Sequence, residues 1–397
     1  MTGEAAIVRP AAVPAPAAAV LEWHILTGEY PPQPGGVSDY TRLVARGLAA
    51  SGDHVVVWAP PATELGAPGD PRVELRRLPD WYGPRSLRRL SEALDRARRP
   101  HRVLVQYVPH AFGWKAANLP FCLWLRSRRR DRVWVMFHEV AYPFDRAAGI
   151  ARNLLAAVNR VMAWLVGGAA ERAFVSIPAW RAGVGAVTRA GTPVAWLPVP
   201  TAIAVVDDRR AADEIAVRYG QGRPLVGHFG TYGDLIAPLV EAAVVGLLAR
   251  ADCRVLLMGQ GSAAARADLV AKHPELTERV VAAGSLEADD VSRHIRACAL
   301  MLQPYPDGIS SRRTSAMTAL AHGVPVVTTE GSLTEPIWRG AAAAALVPTG
   351  DADALAATAA ALLDDPVRRA DLARRGAALY DARFDLRHTI AALKGIF

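Results

Sequence analysis

Cysteine is scarce: 397 residues hold Cys122, Cys253 and Cys298 alone, far apart and without a Cys-x-x-Cys pair. An odd, scattered set of thiols excludes a disulfide framework and gives no structural zinc pattern, so a reducing, cytoplasmic setting is expected. Long apolar runs are missing as well. The longest, Leu154 to Ala170, is interrupted by Asn159 and Arg160 and falls short of the roughly 20 apolar residues that a membrane-crossing helix needs. Residues 1–20 are rich in Ala and Pro but lack the basic start and leucine-rich run of a secretory signal. They read as a disordered lead-in. Charge is modest at 21%, beside 51% hydrophobic residues, which excludes wholesale disorder and leaves enough apolar material for two or three domains. The balance of 46 Lys+Arg against 38 Asp+Glu gives a net charge of +8, mostly from Arg. Phosphorylated ligands, anionic lipid heads and nucleic acid are all admissible partners on charge alone.

What is present is an alternation of short β-branched runs with helical patterns. His24–Thr27 reads as a first strand, followed by the loop Pro31–Gly36 and a helix whose N-cap is predicted at Ser38 or Asp39. His54–Trp58, Val103–Gln106 and Val133–Phe137 read as further strands. After the breaker Leu197–Pro200 the pattern restarts: strand Leu225–Phe229, loop Gly230–Gly233, and a helix predicted to be capped by Asp234. Strand Arg254–Met258, loop Gly259–Gly261, strand Ala299–Gln303, a helix ending at Gly323, and strand Pro325–Thr329 complete it. Strands alternating with helices predict an α/β fold with parallel sheets. Two such domains of comparable size are expected, with a boundary near residues 198–222 and a ligand cleft between them.

Three glycine loops follow strands and open helices: Gly35-Gly36, Gly230–Gly233 and Gly259-Gln260-Gly261. Backbone N–H groups and a positive dipole end converge there, which suits a phosphate. Gly259 to Ala264 also fits G-x-G-x-x-A, but it follows the second strand of its domain, against a dinucleotide reading. Asp307–Ser315 carries Ser310, Ser311, Arg312 and Arg313 to a helix N-terminus. Two guanidinium groups beside a positive dipole end favour an anionic ligand such as a diphosphate. His138-Glu139 ends a strand at the edge where ligands lie, and His110 is a second candidate of that kind. The basic runs Arg85–Arg102 and Arg126–Arg132 read as solvated helix faces. The basic residues are dispersed and no nucleic-acid module appears, so no nucleic-acid partner is expected.

Together these segments resemble a known family. Glu29-Tyr30-Pro31-Pro32-Gln33-Pro34-Gly35-Gly36-Val37-Ser38-Asp39-Tyr40 is similar to the N-terminal glycine loop of retaining nucleotide-sugar glycosyltransferases of the GT-B fold, glycosyltransferase family 4. His138 matches that family's histidine near the donor sugar. Val226–Thr231, Leu257–Gly261 and Ala321-His322-Gly323-Val324-Pro325-Val326-Val327 match the strands, turns and helix ending of its donor domain. Arg383–Leu393 resembles its terminal helix. Two departures stand out. The positions where the family carries a Glu pair hold Ser310 and Thr318, and its Arg/Lys clamp is absent around Thr231–Asp234, a charge that Arg312 and Arg313 can replace.

The resemblance implies two Rossmann-like domains facing across a cleft. Residues 21–200 would hold the acceptor, residues 201–375 the nucleotide sugar, and residues 376–397 would pack back on the first domain. It implies transfer of a sugar from a nucleoside-diphosphate donor to an acceptor hydroxyl, with retention, without a metal and without any cofactor beyond the co-substrate. His138 would orient the donor sugar and Asp39 would meet the acceptor, alongside Gly35, Gly36, Ser38 and Glu139. Gly230, Thr231, Gly259, Gly261, Ser310, Ser311, Arg312, Arg313 and Thr318 would hold the donor. The acceptor would be a glycan, a lipid-linked molecule or a small molecule, and peripheral contact with an anionic membrane at the inner face goes with that. A nucleotide-sugar epimerase and a non-catalytic binding subunit are the alternatives.

Overall fold

The computed structural model describes residues 20–33, 35–62, 69–98, 100–145 and 149–395. The expected lead-in, apart from Val20, and Pro34 of the first glycine loop lie outside the described residues. The strands form two sheets. The first holds β1 (Glu22–Thr27), β2 (His54–Ala59), β3 (Val73–Arg77), β4 (His101–Tyr107), β5 (Arg132–Phe137), β6 (Arg172–Val175) and β7 (Val194–Trp196), in the order 3-2-1-4-5-6-7. The second holds β8 (Leu225–Phe229), β9 (Arg254–Met258), β10 (Val280–Gly284), β11 (Leu300–Gln303), β12 (Val326–Glu330) and β13 (Ala345–Pro348), in the order 10-9-8-11-12-13. All pairings are parallel. These are two Rossmann-like α/β halves, the GT-B arrangement.

Each sheet is covered on both faces, so its central strands are mostly apolar, and their polar side chains His24, Gln106, His228 and Gln303 are buried with them. The period of two still sorts the side chains. In β5, Val133, Val135 and Phe137 join one core, while Trp134 and Met136 join the core on the opposite face. Burial of each such side chain contributes roughly 1.5–3 kcal/mol, offset by the entropy of ordering the chain.

The final helix, Leu386–Lys394, lies against the Gly36–Ala50 helix. A Cβ at Gly47 would sit 2.7 Å from Ile390 Cδ1, so the two helices meet where one has no side chain. Arg102 and Lys394 fasten this contact. The Arg102 guanidinium lies 4.3 Å from the Trp134 ring centroid and donates to Leu393 O at 2.8 Å. Lys394 Nζ reaches Asp53 Oδ1 at 3.2 Å. Arg102 thus belongs to a strand and an aromatic clamp, not to the solvated helix face that its basic run suggests.

Two helix starts differ from the sequence expectation. The first helix begins at Gly36 with Gly35 as its cap, because Ser38 is turned inward and donates its hydroxyl to Gln33 O at 2.7 Å. After β8, a turn through Gly233 delays the helix to Ala237, which leaves Asp234 outside it and Leu235 exposed. The apolar run of residues 154–170 falls mainly within the Ile150–Gly167 helix. Among the described residues, no helix is long and apolar enough to cross a membrane.

Candidate active site

In a parallel sheet, strands on either side of the point where the order reverses send their loops apart, opening a crevice at the carboxyl edge. In the second sheet that point lies between β8 and β11, and in the first between β1 and β4. Both crevices are present, as two cavities that share a wall.

The first, about 370 Å³, belongs to the second sheet. Its lining comes from the loops after β8 (Gly230, Thr231), β9 (Gly259, Gln260) and β11 (Tyr305), and from Arg312 to Ser315. Gly259 has φ +104°, and a Cβ there would lie 2.2 Å from Gly230 O. Glycine is what lets the two loops touch. His228 lines the same cavity, its Nδ1 3.0 Å from the Tyr232 hydroxyl. Burial lowers its pKa to about 3, so it is neutral at ordinary pH.

Arg312 and Arg313 flank this cavity and are both bound to Asp307, Arg312 Nη2 to its Oδ2 at 2.6 Å. Desolvation pushes the Asp307 carboxyl upward, but the two guanidiniums outweigh it and hold the group below the usual carboxylate range. The cluster therefore keeps one net positive charge. Neither Nε–H has a hydrogen-bond acceptor among the described residues. A fixed, partly desolvated cation is what an anionic oxygen meets best.

The second cavity, about 340 Å³, lies between the halves. Glu29, Gly35, Gly36, His110, His138 and Glu139 line it from the first domain, and Arg312 and Thr314 from the second. Arg312 and Thr314 thus face both cavities. His138 stands edge-on to Tyr40, with ring centroids 4.9 Å apart, and its Nε2 lies 2.8 Å from Gln106 Oε1. Desolvation lowers its pKa to about 3. A neutral imidazole whose ring is fixed by a side-chain amide can orient a sugar, but it is a poor proton acceptor near pH 7.

His110 behaves in the opposite way. It sits between two carboxylates, Nε2 3.6 Å from Glu29 Oε1 and Nδ1 4.0 Å from Glu139 Oε2. The Glu29 contact raises its pKa, burial opposes this, and Glu139 raises it again, for a net upward shift. A Cβ at Gly35 would fall 2.5 Å from Glu29 Oε2, so the glycine makes room for that carboxylate.

Several expected site residues are elsewhere. Ser311 is buried at the junction of the two halves: its hydroxyl donates to Ser176 O at 2.8 Å and accepts from Trp196 Nε1 at 3.0 Å. Its backbone N–H donates to the buried carboxylate of Glu335 at 2.9 Å. Thr318 also points into the junction, 2.7 Å from the Thr201 hydroxyl, and donates to Thr314 O. Ser310 is fully buried and lines neither cavity, and Gly261 caps the Ser262–Lys272 helix behind the loop. Asp39 is half-exposed, ion-paired to Arg42 at 3.1 Å, and faces a separate groove. These six, Ser38 included, line neither of the two cavities. Sequence reasoning missed Asp307 as the anchor of the Arg pair, Glu29 beside His110, and Tyr305 with Ser315, whose hydroxyls lie 2.8 Å apart. Asp307 stands five and six residues before its partners, a spacing that was readable.

Comparison with known proteins agrees with this geometry. Residues 224–365 match the family model of glycosyl transferases group 1. No curated protein matches the sequence. Among solved structures, sucrose-phosphate synthase from Thermosynechococcus elongatus is similar over 94% of this chain and 97% of its own, at 18% identity and a TM-score of 0.68. WaaG, a glycosyltransferase involved in lipopolysaccharide biosynthesis, is similar over 94% and 99%, at 16% identity and a TM-score of 0.67. HepE from Anabaena, solved in complex with UDP and glucose, is similar over 95% and 100%, at 17% identity and a TM-score of 0.65. Identities this low speak for the fold, and the family match speaks for the second half. The molecule therefore has the GT-B fold, and residues 224–365 of its second half match the model of glycosyl transferases group 1.

Proposed function

We propose that the protein transfers a sugar from a nucleoside-diphosphate donor to an acceptor hydroxyl, with retention of configuration. The observation that carries this reading is the shared wall: Arg312 and Thr314 face both the glycine-loop cavity and the cavity between the halves. A diphosphate seated against Gly230, Thr231, Gly259 and the Arg pair would place its sugar at that wall. As the acceptor oxygen bonds to the anomeric carbon and the bond to the diphosphate breaks, negative charge grows on the departing diphosphate, which takes up the proton of the acceptor hydroxyl. Arg312 and Arg313 stabilise it electrostatically in place, the largest single contribution expected of such a site. These two cations supply the charge, so the proposed reaction needs neither a bound metal nor a cofactor beyond the nucleotide sugar. Neutral His138 orients the sugar. Glu29, His110 and Glu139 meet the acceptor, a glycan, a lipid-linked molecule or a small molecule. A seat at an anionic membrane surface, on the cytoplasmic side, accompanies this reading.

The test is to offer UDP-, GDP-, ADP- and TDP-sugars with and without an acceptor panel, and to measure released nucleoside diphosphate. Acceptor-dependent release with a retained anomeric configuration is expected. Release to water with an epimerised sugar and no acceptor would replace transfer by hydrolytic epimerisation, and no release with any pair would reduce the chain to a binding subunit.

A further inference from the structure

The cavity between the halves is lined by Glu29, His110 and Glu139 from the first domain and by Arg312 from the second. His138, beside them, is neutral. Arg312 is bound to Asp307, and a diphosphate seated on the Arg pair would meet its remaining charge. What the first domain offers an acceptor is therefore two carboxylates with one imidazole between them. That wall is negative whether His110 is protonated or not.

The hydrogen-bonding capacity of the wall has the same bias. An ionised carboxylate accepts hydrogen bonds and donates none. The ring nitrogens of His110, the nearest donors, already face the carboxylates, Nε2 toward Glu29 and Nδ1 toward Glu139. Glu29 is fixed at its backbone, where the Thr27 hydroxyl donates to its carbonyl at 2.7 Å. Its carboxylate and that of Glu139 can receive the O–H groups of a sugar. They have nothing to give the oxygens of an ionised phosphate or carboxylate, which also only accept.

Ser176, directly after β6, lines the same cavity and is 1% exposed. Its backbone carbonyl is held by Ser311 Oγ at 2.8 Å and Trp196 Nε1 at 3.2 Å. Its hydroxyl has no hydrogen-bond partner among the described residues. Buried polar groups are ordinarily paired, and a hydroxyl that both donates and accepts is matched by the hydroxyl of a sugar.

We propose that Glu29 and Glu139 make this cavity selective for an uncharged sugar or polyol, with Ser176 holding one of its hydroxyls, and that a phosphate or carboxylate on the same ring is rejected. This rests on the transferase reading for the cavity's acceptor role and narrows the acceptor named there. The donor reinforces the selection, because its diphosphate adds negative charge at the shared wall as the bond to the sugar breaks.

Calorimetric titration of the full chain tests it. The protein is first saturated with whichever of UDP, GDP, ADP and TDP it binds, which fills the Arg pair. It is then offered glucose, galactose and mannose beside their 6-phosphates. Wild type is expected to bind the neutral member of at least one pair about tenfold or more tightly than its phosphate, a like-charge penalty reduced by partial exposure. Glu29→Gln/Glu139→Gln should bring the two within about threefold through a gain for the phosphate, with circular dichroism and diphosphate affinity unchanged. A purely structural role would lower both members together. Ser176→Ala should weaken the neutral sugar by about threefold to tenfold, as loss of one hydrogen bond requires. Equal or tighter binding of the phosphates by wild type, a ratio unchanged in the double variant, or binding of no member of any pair would each overturn the proposal. Failure of all four nucleoside diphosphates to bind would overturn the transferase reading, and the pairs titrated into Arg312→Ala/Arg313→Ala would still decide the selectivity.

Discussion

The two cavities are built in different ways. The donor-side cavity takes its charge from one short segment, with Asp307, Arg312 and Arg313 within seven residues of one another. The acceptor-side cavity shares Arg312 but takes its other charged groups from three separate strand ends: Glu29 after β1, His110 after β4 and Glu139 after β5. One is a local motif that folds as a unit, and the other exists only once the sheet has ordered its strands. The Arg pair gives the first cavity a fixed positive charge, whereas His110 between its two carboxylates gives the second a titratable one. The donor side should therefore carry the large rate effects, and the acceptor side the pH dependence.

The largest effect is expected from removing the donor-side cations. Arg312→Ala/Arg313→Ala should lower turnover on the order of a hundredfold to a thousandfold, measured as acceptor-dependent release of nucleoside diphosphate. A loss below tenfold would shift the rate-determining charge to the other cavity. Next comes His138→Ala, which should cost on the order of tenfold to a hundredfold in turnover through misplacement of the sugar. Diphosphate affinity should hold, and a matching fall in affinity would make His138 part of the nucleotide seat.

Ser311→Ala sharpens the contrast between a site residue and its neighbour. It strips one donor from the buried Glu335 carboxylate and breaks the junction hydrogen bonds, so stability should fall by about 1–3 kcal/mol in denaturant unfolding. Diphosphate affinity should not change, because the side chain faces away from the donor cavity.

The smallest effect concerns His110. Its folded pKa is raised above the ordinary 6.5 by Glu29 and Glu139, so its stabilising contribution is fully present below that value and fades as pH rises through the folded pKa. Thermal melts should show wild type gaining on His110→Gln toward acid pH and the difference closing above neutrality. Parallel melting curves across pH 5 to 9 would deny the carboxylate contacts.

Each side was legible in part: Gly230, Thr231, Gly259 and the Arg pair line the first cavity, and Gly35, Gly36, His110, His138 and Glu139 line the second. Gly230, Gly259 and the Arg pair announce themselves by local spacing, and β8 and β9 have the predicted bounds because each is an apolar run with a single polar residue, His228 or Arg254. The edge strands β3, with the sequence Val-Glu-Leu-Arg-Arg, and β13, with Ala-Leu-Val-Pro, give little apolar periodicity. Pairing with one inner neighbour creates them. Glu29 appeared only inside the glycine-loop motif, since nothing local brings it to His110. Ser311 and Thr318 misled through proximity: Ser311 lies in the turn before the Thr314–Ala321 helix and Thr318 within it, and both hydroxyls point into the domain junction.

The most direct test of the central claim is a calorimetric titration of wild type and Arg312→Ala with UDP, GDP, ADP and TDP. The account predicts that wild type binds one of the four well ahead of the others, and that Arg312→Ala weakens that binding about tenfold or more, as loss of a charge-assisted bond requires. Equal affinity in the two proteins would contradict the Arg312 diphosphate seat. Binding of none of the four would contradict the donor site itself.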